Sequence, residues 1–484
     1  MNFLMALAIP VLLIWAIVVF RSNRWALLKP WMTYQNLMVV SLIAGCCLGY
    51  EFFHLSVGPI PATIDRIFWG AMMCLFGFFI YKNQIRLRPF NHLDLFVLGL
   101  LLFIAFSTFS HDWKYRGNEP MGRLLFFNLM PAGFYLVARN IKFEAKHFQQ
   151  AFWLFSLFGI YLALTAIAEV RGWSFLVWPR YIADPSEAEF FGRARGPMMN
   201  PVANGMAMMF ALGSTLILWP NDTSKLKLRI YVASVSVLLT VGIVATMTRS
   251  VWLGLPVIFF ALVWLPAPNR LRGGMAIAAM VILALGISLF GSKFNSFQRD
   301  KYVTASEMSE SASLRPMLAF VAFKMFEDRP IMGCGFGQYT KYKRVYHLES
   351  GSGMPLQKVL VYMQHNIVLS YLTELGLIGV AFLLAITITS ASMAFRIWRR
   401  FLRGAPEPDS TGYFQFKFST LMMVMVICWM TNGMFHDVSI IPMVGSFMYF
   451  LFGMINGTYE QTCLQARPDV EPRTAQTATR VAIG

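Results

Sequence analysis

Charge is what this 484-residue sequence has least of. Lys, Arg, Asp and Glu make up 13% of it and hydrophobic residues 57%, whereas a soluble domain carries roughly a quarter charged residues. That excludes an ordinary soluble enzyme; lipid is the solvent for most of the chain. Acidic groups are the scarcer sign, 24 against 41 basic ones, giving a formal net charge of +17. In a soluble protein that excess would suggest nucleic acid. Here the short cytoplasmic loops of a membrane protein account for it, and no nucleic-acid partner is expected. Cysteine is sparse too. Cys46 and Cys47 are adjacent, Cys74, Cys334, Cys428 and Cys463 are scattered, and no CxxC pair exists, which argues against zinc and redox motifs. No acidic pair resembles a metal site: Asp300, Glu307 and Glu310 share one polar run that reads as solvated loop. Chemistry without a metal or other cofactor is therefore expected. Gly333, Gly335 and Gly337 lack the strand–helix frame of a nucleotide fingerprint and read as a tight loop. Internal repeats are absent.

What is there is a series of long apolar runs. A span needs roughly 20 apolar residues, and thirteen candidates are found, at 2–20, 36–53, 67–81, 93–110, 121–138, 148–170, 200–219, 230–247, 251–265, 275–290, 366–395, 418–435 and 440–455. The first has no Lys or Arg before it and no small-residue cleavage site, so it reads as a retained span rather than a signal peptide. Residues 230–265 carry one charge, Arg249. A single helix of that length would be about 54 Å long, so the segment must turn, and Thr248-Arg249-Ser250 is its only polar break. Loops after odd-numbered spans are all basic, for example Lys82, Arg86 and Arg88, or Arg396, Arg399, Arg400 and Arg403. The positive-inside rule puts these in the cytoplasm. The segment 291–365 then lies outside as a small loop domain, with a helix over 314–326 carrying apolar residues at 314, 318, 321 and 325. The expected organisation is an all-α polytopic bundle of about 12–13 spans: ten in 1–290, the periplasmic loop domain 291–365 with short helices, three spans in 366–458, and a polar, disordered cytoplasmic tail 459–484.

Basic residues on the outer face are not required by that rule. They are Arg193 and Arg195 before the seventh span, Arg249 at the hairpin tip, Arg315, and Lys341, Lys343 and Arg344 further along the loop. Arginine suits a phosphate at headgroup depth because its planar fork stays charged and donates two parallel hydrogen bonds. The bland alternative is snorkelling to lipid phosphates or pairing with loop carboxylates. His365 stands where the outer loop meets a span, and a histidine there can take a proton from a hydroxyl. Asn366, Ser370 and Glu374 follow at spacings of four and share one helix face. Glu374 falls about 13 Å deeper than His365; a carboxylate at that depth should face the bundle interior and have a partner. His436 and Asp437 lie in the turn before the last span, where they either assist His365 or form a solvated turn.

Three stretches, RGPMMNPVANGMAM, TMTRSVWLGL and SLRPMLAFVAFKMFEDRPIMGCGFGQY running on to QHNIVLSYLTELGLIG, resemble the O-antigen ligase and polymerase superfamily of bacterial cell-surface polysaccharide assembly. The resemblance spans roughly 195–379. It implies a metal-independent, inverting glycosyltransferase of the inner membrane with its active site facing the periplasm. Such an enzyme moves a glycan from undecaprenyl diphosphate to an acceptor glycan or the lipid A core, with membrane lipids as its surroundings. His365 would be the general base, and Arg195, Arg249 and Arg315 would neutralise the diphosphate, with Asn366, Glu374 and Asp437 in support. Ligase and repeat-unit polymerase remain alternatives. A flippase for lipid-linked glycans is the rival from another class; it should show inverted repeats and no dominant outer domain.

Overall fold

The computed structural model describes residues 33–55, 61–187, 189–264, 271–274, 277, 305–347, 353–402, 404 and 406–464. The expected spans at 2–20 and 275–290, the expected boundary near 290 and the tail 465–484 lie outside these residues. The other eleven expected spans fall on helices: α1 Tyr34–Cys47, α2 Ile64–Tyr81, α3 His92–Phe109, α4 Pro120–Asn140, α5 Ala145–Arg171, α6 Pro201–Ile217, α7 Leu226–Ala245, α8 Arg249–Trp264, α11 Ile367–Leu402, α12 Thr411–Phe435 and α13 Pro442–Tyr459. Between them lie α9 Ala305–Asp328 and α10 Tyr339–Tyr346. Seven of the helices are long and apolar enough to cross a membrane, and α1, α6 and α8 are apolar but shorter. Among the described residues the only strands are two residues each, His54–Leu55 (β1) pairing antiparallel with Ala62–Thr63 (β2). The protein is thus a multi-pass helical membrane protein.

Its surface says the same as its sequence. On α3 the exposed side chains beyond His92 are Leu95, Leu98, Leu102, Phe106 and Phe109, an apolar stripe at helical spacing too large to leave in water. Polar side chains cap α1, α3, α6 and α12, from Thr33, Asn91, Asn200 and Ser410. Asn91 accepts from Leu93 N and Asp94 N, while the Asp94 carboxylate accepts from Asn91 N at 2.7 Å, a capping box. Interior packing is aromatic: Phe155 of α5, Phe210 of α6, and Phe447 and Phe450 of α13 meet with ring centroids 4.6–6.0 Å apart. Where α13 crosses α4, a Cβ on Gly453 would lie 2.3 Å from the Tyr135 carbonyl oxygen. Small residues of this kind let membrane helices approach backbone to backbone.

Among the described residues the basic loops after α2, α4 and α11 meet at one end, where Arg88 N donates to Asn140 Oδ1 at 2.9 Å. Gln35 donates to Lys142 O, Ala145 N to Thr411 Oγ1, and Arg400 to Thr462 O. At that end Arg139 pairs with Asp94 and with Glu460 at 3.1 Å, and Asn456 donates to Tyr135 Oη at 2.8 Å. Glu460 is buried, in a π-helical turn Glu460–Leu464 that continues α13, so these five residues do not belong to the solvated tail expected from residue 459.

The turn expected at Thr248-Arg249-Ser250 is present: α7 ends at Ala245, Met247 takes a positive φ of 51°, and Arg249 opens α8. The helix expected over 314–326 is α9, with Leu314, Leu318, Val321 and Met325 buried against Tyr339, Leu356 and Val359 in a small separate core. It starts earlier than expected, at Ala305, so Glu307 and Glu310 belong to a helix and not to a loop.

The long helix α11 is broken at Gly376 (φ 64°, ψ −159°), and the 330–335 loop fills the break. Leu377 N donates to Pro330 O at 2.8 Å and Ile378 N to Ile331 O at 3.3 Å. In return Cys334 N donates to Thr373 O at 2.8 Å and Gly335 N to Glu374 O at 3.1 Å. The groups that the break would leave orphaned are satisfied by this loop. Gly333, Gly335 and Gly337 all have positive φ, the tight loop expected. A Cβ on Gly376 would stand 2.4 Å from the Ile331 carbonyl. Gly376→Ala is therefore expected to destabilise the protein by roughly 1–3 kcal/mol, read as a lower unfolding midpoint in detergent.

Candidate functional site

Three side chains anchor the segment around His365. The Asn366 side chain caps α11, accepting from Val368 N at 2.8 Å and Leu369 N at 3.1 Å, and donates to Met434 O at 3.1 Å. Gln364 donates to Thr373 Oγ1 at 2.6 Å. Buried Lys343 of α10 donates to Tyr362 O at 2.7 Å, and the Tyr362 ring lies 6.4 Å from that of His365. His365 itself is exposed on one side. The protein wall on its other side, and after it the Arg315 guanidinium, hold the imidazole below the usual histidine range.

Arg315 is exposed on α9, with its guanidinium 5.8 Å from the centre of the Phe435 ring. The end of α12, at Met434 and Phe435, is thus shared by Asn366 and Arg315. Arg249 is exposed at the start of α8, a helix whose first turn packs against the same α12. Arg193 braces that start: fully enclosed, it donates to Thr246 O at 3.2 Å and Thr248 Oγ1 at 2.5 Å. Lys341 is paired with Asp112 at 3.1 Å, and Arg344 is exposed.

Arg195 is placed otherwise than expected. It is fully buried, and all five guanidinium hydrogens are taken: by Ile182 O twice, Asp184 O, Glu187 O and Glu189 O. Glu169 lies 3.6 Å away and accepts from Arg195 N and Gly196 N. A diphosphate would have to displace those carbonyls. In this arrangement Arg195 holds the 182–189 loop. Burial pushes its pKa down, which the surrounding carboxylates oppose.

Glu374 faces the interior, as its depth required, and its partner is a residue not singled out in the sequence. Arg123 Nη1 stands 2.9 Å from Glu374 Oε1, with Asn118 donating to the same oxygen at 3.3 Å. Arg123 opens a π-helical stretch, Arg123–Leu129, a geometry common at functional sites. Asn128 of the same stretch donates to Arg123 O at 3.0 Å. The signal was available: Arg123 is a charge inside an apolar run, which calls for a partner. Asp437 is also buried beside this pair, so its turn is not a solvated one. Its Oδ1 accepts from Ser439 N at 3.1 Å and Ser439 Oγ at 2.5 Å. Burial pushes the Asp437 carboxyl up and Glu374 adds to that, against Ser439, Ser370 and Arg123. A polar cleft lies here, lined by Arg123, Asn128, Ser370, Tyr371, Glu374 and Ser439. Another cavity, lined by Met and Phe side chains such as Met206, Phe210, Met425 and Phe447, has nothing that could do chemistry.

A membrane bundle with a basic, histidine-bearing surface at the end of its helices is what the fold and these residues define. Residues 234–384 match the O-antigen ligase family model (Wzy_C), a match that supports the O-antigen ligase/polymerase superfamily of polysaccharide biosynthesis. The matched segment takes in Arg249, Arg315, His365 and Glu374 and leaves out Arg123, Arg195 and Asp437. No curated protein matches the chain.

Proposed function

We propose that the chain is a periplasm-facing glycosyltransferase of the bacterial inner membrane, passing a glycan from undecaprenyl diphosphate to a hydroxyl of an acceptor glycan or lipid A core. The observation that carries this reading is that Arg315 and the His365 segment converge on the end of α12, Arg315 lying 5.8 Å from the Phe435 ring and Asn366 donating to Met434 O at 3.1 Å, within the O-antigen ligase segment. His365 takes the proton of the acceptor hydroxyl. The acceptor oxygen attacks the anomeric carbon from the face opposite the diphosphate, and the bond to the diphosphate breaks, leaving its electron pair on oxygen. Arg315 and Arg249 stabilise that growing negative charge, the kind of electrostatic contribution that is usually largest in catalysis. Arg193 keeps Arg249 at the helix start, and Arg195 and Glu374 act one step back, through the loop and the helix they hold.

Purified protein given lipid-linked oligosaccharide and acceptor should release undecaprenyl diphosphate in the presence of a chelator. Absence of release, or release that requires added metal, would overturn the reading. The pH profile is a second test. A base held below the usual histidine range is already deprotonated at lower pH, so the rate should rise with pH and level off on the acid side of an ordinary histidine, whose pKa is about 6.5. Arg315→Gln removes a neighbouring positive charge, so the rising limb should move to higher pH while the KM for the donor increases. An unmoved limb would separate Arg315 from His365.

A further inference from the structure

Lys343 is a lysine where lysines are rarely found. It lies 4% exposed on α10, among the residues of the small core formed with α9. Among the described residues no carboxylate pairs with it. Its neighbours are the Tyr339 ring, 5.3 Å from Nζ, the Tyr362 carbonyl at 2.7 Å, and the like-charged Arg344 on its own helix. Burying an ammonium without a counter-charge costs free energy, and replacing such a group by an apolar one is often neutral or stabilising. Burial, with Arg344 adding to it, pushes the Lys343 amine down to about 8. A group kept against that cost calls for a use, and its hydrogen bond supplies one. Tyr362 stands three residues before His365. The anchors at Gln364 and Asn366 reach α11 and α12, whereas Lys343 ties the segment to α10.

We propose that Lys343 is a positioning residue, whose ammonium fixes the Tyr362 carbonyl and so sets where the His365 imidazole stands relative to Arg315. This rests on the reading of His365 as the base. A displacement of about 1 Å at such a group is enough to cost about 100-fold in rate.

The test is Lys343→Met, which fills the same space without charge, beside Lys343→Arg, which keeps a cationic donor. In full-length protein, Lys343→Met should leave the unfolding midpoint unchanged or higher. Its kcat should fall by about 10- to 100-fold with the KM for the lipid-diphosphate donor within about twofold, and Lys343→Arg should recover part of kcat. Modification of His365 by diethyl pyrocarbonate, followed against pH by mass spectrometry, should change in Lys343→Met; this readout needs no turnover. Unchanged kcat, a kcat loss matched by a fall in the midpoint, or identical His365 modification in both proteins would each overturn the proposal. A wild-type protein that transfers no glycan would instead remove the reading of the base, and the modification profile would still decide whether Lys343 places the imidazole.

Discussion

His365→Ala is expected to lower kcat for glycan transfer by about 10²- to 10⁴-fold, the range that a positioned general base contributes. The side chain is exposed on one side, and neither the Asn366 cap nor the Gln364 and Lys343 anchors pass through its ring. Its removal should therefore leave stability within about 0.5 kcal/mol. The two measurements together discriminate: turnover lost with an unchanged unfolding midpoint assigns chemistry to the imidazole, whereas turnover and midpoint lost together assign it structure. Full turnover in the variant would leave the acceptor hydroxyl without its proposed base. Asn366→Ala is the useful contrast, since it removes the cap of α11 and the bond to Met434 O while keeping the histidine.

Glu374→Ala should act in the opposite way, on stability first. The carboxylate faces Arg123 at 2.9 Å with both side chains almost wholly enclosed. Breaking a buried pair by removing one partner costs about 3–5 kcal/mol, because the other charge is left uncompensated. The double variant Arg123→Met with Glu374→Leu removes both charges and should unfold at a temperature near that of the wild type. If the single variant were as stable as the wild type, the pair would not be what holds α4 against α11.

The fold was legible because lipid writes it into composition. Apolar runs of span length and the charge of the loops between them depend on the solvent, not on tertiary detail, and the helices and the basic end of the bundle followed. The turn at Arg249 followed from the length of the apolar run and its one polar break. The site was legible where residue type dictates behaviour: a carboxylate inside a membrane run must have a partner, and Glu374 has one. What sequence could not supply was which donors a given arginine spends on its own chain. Arg195 and Arg315 look alike as outer-face arginines, yet one is consumed by five loop hydrogen bonds and the other is exposed, its guanidinium over the Phe435 ring at the end of α12. Arg123 was passed over because one charge in an apolar run does not change its count as a span. Lys343 looked like part of a surface basic run, and only the packing of α9 on α10 encloses it.

The splice between α11 and the 330–335 loop bears on how such proteins can be recombined. Pro330, Ile331, Cys334 and Gly335 complete the hydrogen bonding of residues 373–378, so neither stretch is self-sufficient. A chimera that exchanged the segment ahead of α11 for that of a relative would carry over half of a joint. The natural unit of exchange runs from Pro330 past Gly376, and a crossover point inside it would sever a connection that the helix cannot rebuild by itself.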